Sequence, residues 1–397
     1  MKKILPQIIA LILVLNSGIV NAESTYISKI DNNSIVSSVL VSDEELVDPV
    51  LPENTNNFGF SKITCGHYHC YAIKNGSIYS VGSNQYGQLG REGKINQSTW
   101  GIVEGMSGVT DVVAGSQHGY AIKGGVVYSV GNTRLVIKYT WEVDVGMSGV
   151  TKLAAGGYHG YAIKDGELYS VGENYFGQLG RAAETNNQPT WGIVEGMSGV
   201  TDISAGYYYG YAIKGGQLYS VGLNSHGQLG TGGTNSQSTW SVVEGMNNVT
   251  KIFAGAHSAY AIKDNALYSV GYNNSGQLGR SGTSSKSTWG IVEGMSNVTA
   301  LNAGYLSAYA IKDNELYSVG ANNKGQLGRS GKTNQSTWDI VEGMSGLTNI
   351  VAGFDYIYTV KEGNIYSVGY NGYGQLGLGD TADRGEFTAL DPATLVE

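Results

Sequence analysis

The sequence predicts an all-β protein, a seven-bladed β-propeller of four-stranded blades. A unit of about 49 residues recurs seven times, and the successive spacings of its marker glycine are 49, 41, 50, 49, 49 and 49. Each unit holds four short strand-like segments, which cannot bury both of their faces alone but can do so when the units stack radially. The marker glycine follows Ala or Cys in every unit: Gly66, Gly115, Gly156, Gly206, Gly255, Gly304 and Gly353.

The local signals inside a unit are those of strands and tight turns. Segments such as VTDVVAG, GYAIK, LYSVG and TWGIV are rich in Val, Ile, Tyr and Trp, which favour strands. Asn75-Gly76 and Asp165-Gly166 are typical of hairpin turns. The segments LYSVG and GQLG return almost unchanged, whereas the four letters between them vary: ENYF, SNQY, LNSH, YNNS, ANNK and YNGY.

The two ends of the repeat indicate a closed ring. Six tryptophans lie in the last strand of successive units, and Phe387 holds the seventh position. The first unit begins part-way through the repeat at Phe60, so we expect the C-terminal strand FTAL to complete a blade that the N-terminus opens. Pairing of the N- and C-terminal strands would close the ring and remove the free edges of an open array.

The second unit is shorter than the others by eight residues. After Val130-Gly131 it continues as NTRLVIKYTW and has no GQLG segment. This difference is either a neutral trimming of one loop or a notch in one face of the ring.

The N-terminus predicts an exported protein. A charged start is followed by the apolar run Ile8–Leu15 and a small-residue cleavage site that ends at Ala22, which is the pattern of a secretory signal peptide. The apolar run is too short for a membrane anchor, so we expect no membrane span after cleavage and a periplasmic or extracellular location. The predicted organisation is signal peptide 1–22, polar linker or arm 23–57, and propeller 58–397.

Charge and motifs exclude several classes of function. Cleavage after Ala22 leaves 22 Lys and Arg against 32 Asp and Glu, a net charge of −10, which argues against a nucleic-acid partner. No nucleophile elbow, phosphate-binding loop or HExxH motif departs from the repeat, so we predict no enzymatic activity and no cofactor. One histidine register is predicted to be a spacer between blades, and not a metal site, because other residues replace it: His69, His118, His159, Tyr209, Ser258, Ser307 and Tyr356.

The two cysteines lie in the segment CGHYHC. In an oxidising compartment Cys65 and Cys70 could form a disulfide across a tight hairpin, and we favour this pairing. The alternative is two small half-buried residues, because other units carry Ala or Gly at these positions. The segment also resembles a metal-binding cluster, but side chains that alternate across a short turn do not converge on one ion.

The repeat frame resembles that of the regulator of chromosome condensation (RCC1) family. GQLG recurs six times, always three residues after an asparagine, and the resemblance covers about 340 residues. It implies a seven-bladed propeller. The founder of that family is an exchange factor for the small GTPase Ran, and other members are interaction modules, including a secreted bacterial inhibitor of β-lactamases. We interpret the frame residues as structural: Gly172, Asn174, Gly177, Gln178 and Leu179.

Aromatic residues are concentrated in the variable letters. Fourteen of the 28 tyrosines occupy the registers of the YAIK and LYSV strands, whereas ten others and two phenylalanines fall in turns that a four-stranded meander places on one face. Tyrosine supplies large contact area at little conformational cost, so this face is predicted to bind a partner. The predicted contact residues are Tyr68, Tyr86, Tyr158, Tyr175, Phe176, Tyr207, Tyr208, Tyr272, Tyr305, Phe354, Tyr370 and Tyr373.

Three functions remain open at this stage. The first is a secreted, non-enzymatic, monomeric interaction protein that grips another protein through the aromatic loops. The second is a nucleotide-exchange factor for a small GTPase, although the even spacing leaves no insertion for the wedge that exchange in that family uses. The third is a glycan-binding propeller, since tyrosine and asparagine can stack on sugars and hydrogen-bond to them.

Overall fold

The computed structural model describes residues 56–181 and 187–397. The predicted signal peptide and the linker up to residue 55 lie outside the described residues. Within them, 28 strands form seven four-stranded antiparallel sheets. The innermost strands of successive sheets contact one another in chain order, and the last contacts the first. The prediction of a seven-bladed β-propeller is therefore confirmed.

Each blade consists of four consecutive strands, from the central axis outwards. Blades 1 to 3 contain β1 (Lys62–Cys65), β2 (His69–Lys74), β3 (Ser77–Gly82), β4 (Gln97–Ile102), β5 (Val109–Ala114), β6 (His118–Lys123), β7 (Val126–Asn132), β8 (Ile137–Ser148), β9 (Val150–Ala155), β10 (His159–Lys164), β11 (Glu167–Gly172) and β12 (Gln188–Ser198).

Blades 4 to 7 repeat this arrangement. They contain β13 (Val200–Ala205), β14 (Tyr209–Lys214), β15 (Gln217–Gly222), β16 (Gln237–Val242), β17 (Val249–Ala254), β18 (Ser258–Lys263), β19 (Ala266–Gly271), β20 (Lys286–Ser296), β21 (Val298–Ala303), β22 (Ser307–Lys312), β23 (Glu315–Gly320), β24 (Gln335–Ser345), β25 (Leu347–Ala352), β26 (Tyr356–Lys361), β27 (Asn364–Gly369) and β28 (Arg384–Ala389).

The core lies between blades. The second strand of each blade is buried almost throughout, whereas the outermost strand is largely exposed. Both faces of the second strand are covered by neighbouring blades, which explains its nearly continuous apolar sequence. A single 3-10 turn, Pro392–Thr394, is the described helical element, and no described helix has the length and apolarity needed to cross a lipid bilayer.

The expected closure through a shared blade is wrong. β28, which holds most of the FTAL segment, pairs with β27, and β1 pairs with β2 in a separate sheet. The reason is one of register: Phe60–Cys65 aligns with Val109–Ala114, the first strand of the next unit, when the marker glycines are superimposed. The first described strand is therefore an innermost strand and the last is an outermost one, and together they bound seven whole blades.

The ring closes instead through the same contact that joins the other blades. In each blade that has a GQLG segment, this segment packs against the next blade. The last glycine of that segment lies against the tryptophan of the next blade, or against Phe387 in blade 7, so a Cβ on Gly180 would meet Trp240 at 2.2 Å. Blade 7 meets blade 1 in the same way, because a Cβ on Gly377 would lie 2.7 Å from Trp100. The C-terminus adds a second link, since the Val396 amide donates to the Trp100 carbonyl at 2.9 Å.

The GQLG loop is held by its own side chains, as predicted. The Leu179 amide donates to Asn174 Oδ1 at 2.9 Å, and the Phe176 amide donates to Gln178 Oε1 at 2.9 Å. Leu179 is fully buried. Gly172 has a φ of 108°, and a Cβ there would lie 2.4 Å from the Tyr158 carbonyl oxygen, so only glycine fits this strand end.

Candidate binding face

Most of the predicted contact residues meet in one connected cluster. Ten of the twelve aromatic side chains, together with His67, His226 and His257, form a continuous network of ring contacts. Tyr86 and Tyr175 touch none of these rings but lie in the equivalent loops of blades 1 and 3. We call these twelve aromatic residues and three histidines the aromatic face.

The centre of the aromatic face covers one end of the central channel. His67 stacks on Tyr207 across the axis at a centroid distance of 5.1 Å and meets Phe354 edge-on at 4.3 Å. Phe354 in turn stacks on Tyr305 at 3.9 Å. These four rings line a cavity of about 280 Å³ whose walls are otherwise mainly small residues from all seven innermost strands. Glycine and alanine in the walls allow the rings of opposite blades to meet.

The first arc of the aromatic face spans blades 3 and 4. Tyr208 lies between Phe176, at 5.1 Å, and Tyr207, at 4.4 Å. Tyr158 is only 5% exposed, so it supports Tyr207 from below and offers little contact area itself. Arg134 of blade 2 covers the Tyr158 ring at 3.8 Å, which explains that burial.

The second arc runs through blades 6, 7 and 1. Tyr68 contacts Tyr373 at 4.8 Å and Tyr370 at 5.8 Å. Lys324 lies 4.8 Å above the Tyr370 ring and pairs with Asp383 at 3.6 Å. The rings of this arc are half-buried against one another.

The histidines join the two arcs and Arg134 supports the first of them, roles that the sequence analysis missed. His67 joins the two arcs, and His257 joins Tyr207 and Tyr305 to His226 and Tyr272. A sequence signal existed, because His67 and His257 occupy the same turns as the predicted tyrosines. Arg134 gave no such signal, since it lies in the unit that departs from the repeat.

The centre of the aromatic face is uncharged at neutral pH. Burial lowers the pKa of His67 to about 3, with His257 and His118 adding to the effect. Burial lowers the pKa of His257 to about 4, and His226 contributes. Burial, and then Asp355, raises the pKa of Tyr68 to about 12. A neutral aromatic surface of this kind loses little hydration free energy when a partner covers it.

Two side chains stand out from the packed network. Tyr175 is 67% exposed and Phe176 is 38% exposed, whereas the other members of the face that the sequence predicted are buried or half-buried. Both lie at the tip of the loop whose variable letters are ENYF. Large apolar rings held in solvent by a fixed turn are the usual anchors of protein interfaces.

The tyrosines of the spacer register bridge neighbouring blades, whereas the ring nitrogens of His69, His118 and His159 are buried without a hydrogen-bond partner among the described residues. The Tyr209 hydroxyl donates to the carbonyls of Gly255 and Ser258 in the next blade, each at 2.8 Å. The Tyr356 hydroxyl donates to the His69 carbonyl at 3.0 Å across the ring closure. The described residues contain no group of three His, Cys, Asp or Glu side chains that could hold a metal ion.

Comparison with known proteins agrees with this architecture. The model of the regulator of chromosome condensation (RCC1) repeat matches residues 75–122, 165–213, 215–262 and 362–392. Four segments of this chain therefore carry the RCC1 repeat. A comparison with curated protein sequences gives no match.

Solved structures show the same fold at low sequence identity. Human WBSCR16 is 16% identical, with 79% of this chain and 94% of that chain covered and a TM-score of 0.70. Prp20p from Saccharomyces cerevisiae, described with its binding properties to Gsp1p and histones, is 19% identical, with 77% and 82% covered and a TM-score of 0.67. Yeast RCC1 (Prp20) bound to Kap60 is 19% identical, with 86% and 77% covered and a TM-score of 0.51.

A belt of backbone hydrogen bonds links the turns of this propeller around the channel. The Gly157 amide donates to the Tyr207 carbonyl, the Tyr207 amide to Ala256, and the Tyr305 amide to Phe354, at 3.0, 3.2 and 2.9 Å. Among the described residues, the belt does not continue from Phe354 into the blade 1 turn that carries His67.

In the structure a disulfide joins Cys65 and Cys70 at the base of that turn, where the two residues are direct cross-strand partners. The disulfide therefore fixes a turn that the belt leaves free.

Removing the disulfide should destabilise blade 1. Cys65→Ala with Cys70→Ala restores the small residues of blades 5 and 6 and is expected to lower the free energy of unfolding by about 2 kcal/mol, the loop-closure value for so short a ring. Denaturant titration of the variant and of the parent with and without reductant measures this. Equal stability of all three samples would show that the disulfide does not restrain the turn.

Proposed function

We propose that this propeller is a binding module that holds a partner protein on the aromatic face and catalyses no reaction. The observation that carries the proposal is the convergence of ten aromatic side chains from separate blades into one network, in which Phe176 is exposed and beside which Tyr175 is also exposed. Rigid aromatic residues at the centre of an interface supply most of the free energy of protein association.

The surroundings of the face support this proposal. Ion pairs lie at its margins, Arg134 with Glu173 at 3.0 Å and Lys324 with Asp383 at 3.6 Å, while the centre is aromatic and neutral. A central apolar area within a polar rim is the usual anatomy of protein–protein interfaces. The yeast relative Prp20p, described as binding Gsp1p and histones, shows that a propeller of this fold can present a protein-binding surface.

The packing of the rings favours a protein over a glycan. Sugars stack on open ring faces, whereas here Phe354 and Tyr305 stack on each other and His67 meets Phe354 edge-on. Tyr175 is the predicted tyrosine with a largely open ring. Nucleotide exchange is less well supported, because the described blades hold no insertion that could act as a wedge and blade 2 is shortened.

The proposal includes export to an oxidising compartment. The Cys65–Cys70 disulfide supports this part, because such bonds persist outside the reducing cytosol. Immunodetection of the cleaved chain in periplasmic or culture fractions tests it, and retention in the cytoplasm with reduced cysteines would contradict it.

Removing the two exposed rings should weaken partner binding without affecting the fold. Tyr175→Ala with Phe176→Ala is expected to reduce the affinity at least about tenfold, since central aromatic residues typically contribute more than about 1 kcal/mol each. The measurement is a pull-down from envelope and host extracts, followed by titration of the purified partner. The matched control is Val145→Ala, an apolar residue that is 93% exposed beside the turn into the next blade. Unchanged affinity of the double variant would contradict the proposal.

A further inference from the structure

Blade 2 lacks the loop that fills the junction between the other blades. In the six blades with GQLG, the tyrosine of the second strand donates to the carbonyl of the loop glutamine, as Tyr260 does to Gln277 at 2.6 Å and Tyr309 to Gln326 at 2.8 Å. The serine of the third strand donates to the carbonyl of the loop leucine, as Ser170 does to Leu179 at 2.9 Å. Two loop carbonyls are thus bound in each of these blades.

The corresponding tyrosine of blade 2 has lost its acceptor. Tyr120 is 2% exposed, and its hydroxyl has no hydrogen-bond partner among the described residues. Burial, and then the charge of Asp144, raises the pKa of Tyr120, so the hydroxyl stays protonated and can donate. A buried donor without an acceptor costs about 1–3 kcal/mol, which an incoming acceptor would recover.

The neighbouring polar groups of blade 2 are already paired. Asp144 accepts from Lys138 at 2.9 Å and from Ser129 at 2.7 Å, and its other oxygen accepts from the Trp191 indole at 2.8 Å. The charges of Lys138 and Asp144 therefore compensate each other. Tyr120 is left as the unpaired donor in a site with no net charge, which suits a neutral acceptor.

A cavity lies at this position. It has a volume of about 40 Å³ and is lined by Tyr120, by apolar residues that include Leu135, Val136 and Pro189, and by the paired polar groups Ser129, Lys138 and Asp144. A water molecule needs at least about 10–15 Å³ of such space, so the cavity has room for a few waters or for a group of carbonyl size. Its walls include the loop of Arg134, which contacts Tyr158 and Tyr208 of the aromatic face.

We infer that this cavity, the blade 2 notch, receives a neutral carbonyl on an apolar turn of the partner protein, in the place of the missing GQLG loop. The inference rests on the proposed function and adds to it a site that would select the partner protein. The six other blades show the required chemistry, since each places a tight turn with a carbonyl acceptor there. A turn seated in the notch would bind the Tyr120 hydroxyl and cover the exposed side chains Val136 and Ile137.

The test uses a cyclic peptide with the loop sequence Asn174–Arg181, NYFGQLGR, labelled with a fluorophore and titrated into the full-length protein. We expect the parent protein to bind it and Tyr120→Phe to bind it about tenfold more weakly, which is the loss of one hydrogen bond of about 1.4 kcal/mol. The matched control is Tyr161→Phe, whose hydroxyl donates to Gln178 within blade 3. It should bind the peptide like the parent protein but unfold at lower denaturant concentration, whereas Tyr120→Phe should not be destabilised.

Three results would overturn the inference. The parent protein could fail to bind the peptide, which would leave the notch as a site for water only. Tyr120→Phe could bind as well as the parent. A dimer that forms with increasing concentration and is lost in Tyr120→Phe would identify a second copy of the chain as the occupant. None of these results depends on Tyr175 and Phe176, so failure here is distinguishable from failure of the proposed function.

Discussion

Lowering the pH from 7 to 4 is expected to destabilise the propeller steeply. Burial lowers the pKa of His69 to about 3, that of His118 to about 4 and that of His159 to about 3. In the unfolded chain a histidine has a pKa of about 6.5, so between these values the unfolded state binds more protons than the folded state. Stability is therefore complete above pH 6.5 and is lost as the pH falls towards 4.

The size of this effect follows from the number of histidines. Each buried neutral histidine lowers the free energy of unfolding by about 1.4 kcal/mol per pH unit inside the window, so these three, together with His67 and His257, give about 7 kcal/mol per unit. Denaturant midpoints measured from pH 7.5 to pH 4.5 test the slope. Carboxylates with ordinary pKa values titrate mostly below this range and contribute little to it.

The chain provides its own control for the acid effect. His159→Tyr introduces the residue that Tyr209 and Tyr356 supply in the same register, where a glycine at the marker position leaves room for the larger ring. The variant should fold and lose about one fifth of the pH slope, because one of five titrating histidines is gone. An unchanged slope would show that the acid sensitivity arises elsewhere.

Replacing Trp100 with alanine should cost more than replacing any other tryptophan. Trp100 is fully buried where blade 7 meets blade 1, with Phe60 at 5.1 Å and Tyr358 at 5.8 Å. Loss of a buried tryptophan typically costs about 3–5 kcal/mol because the cavity does not fully collapse. Here the cavity would also open the closing junction of the ring. Denaturant unfolding measures the loss, and hydrogen exchange should show the first and last blades opening before the rest.

Trp338→Ala is the matched control for the closing junction. Trp338 makes the equivalent contact between blades 5 and 6, packing against Gly279 and Tyr260, but it is only partly buried. Its removal should cost clearly less and should not expose the chain ends preferentially. Equal losses in the two variants would mean that the closing junction is no more important than an internal one.

The sequence predicted the blades because the repeat is nearly exact and the strand signals are local. The closure was misread for a related reason. The marker glycine directly follows the first strand of each blade. Units counted from this glycine therefore begin after the first strand, and Phe60 falls inside a unit instead of at its start. Strand pairing shows that a blade begins at the position of Phe60, since β1 and β28 belong to different sheets.

The sequence placed the aromatic residues on one face but could not assign their exposure. Tyr158 and Tyr175 both occupy variable turns, yet one is buried and the other is 67% exposed. The difference depends on Arg134, which reaches Tyr158 from blade 2 and pairs with Glu173. Arg134 lies in the second unit, where the sequence departs from the repeat. The pattern of the third unit therefore gives no indication of this contact.

By itself the sequence determined the seven blades, the four strands in each and the face on which the variable turns emerge, because period, strand propensity and turn direction are properties of neighbouring residues. The tertiary structure alone decided which rings are exposed, how the chain ends meet at Trp100 and that Tyr120 is left without an acceptor. Those features depend on distances between residues that lie far apart in the chain, and packing in the closed ring sets such distances.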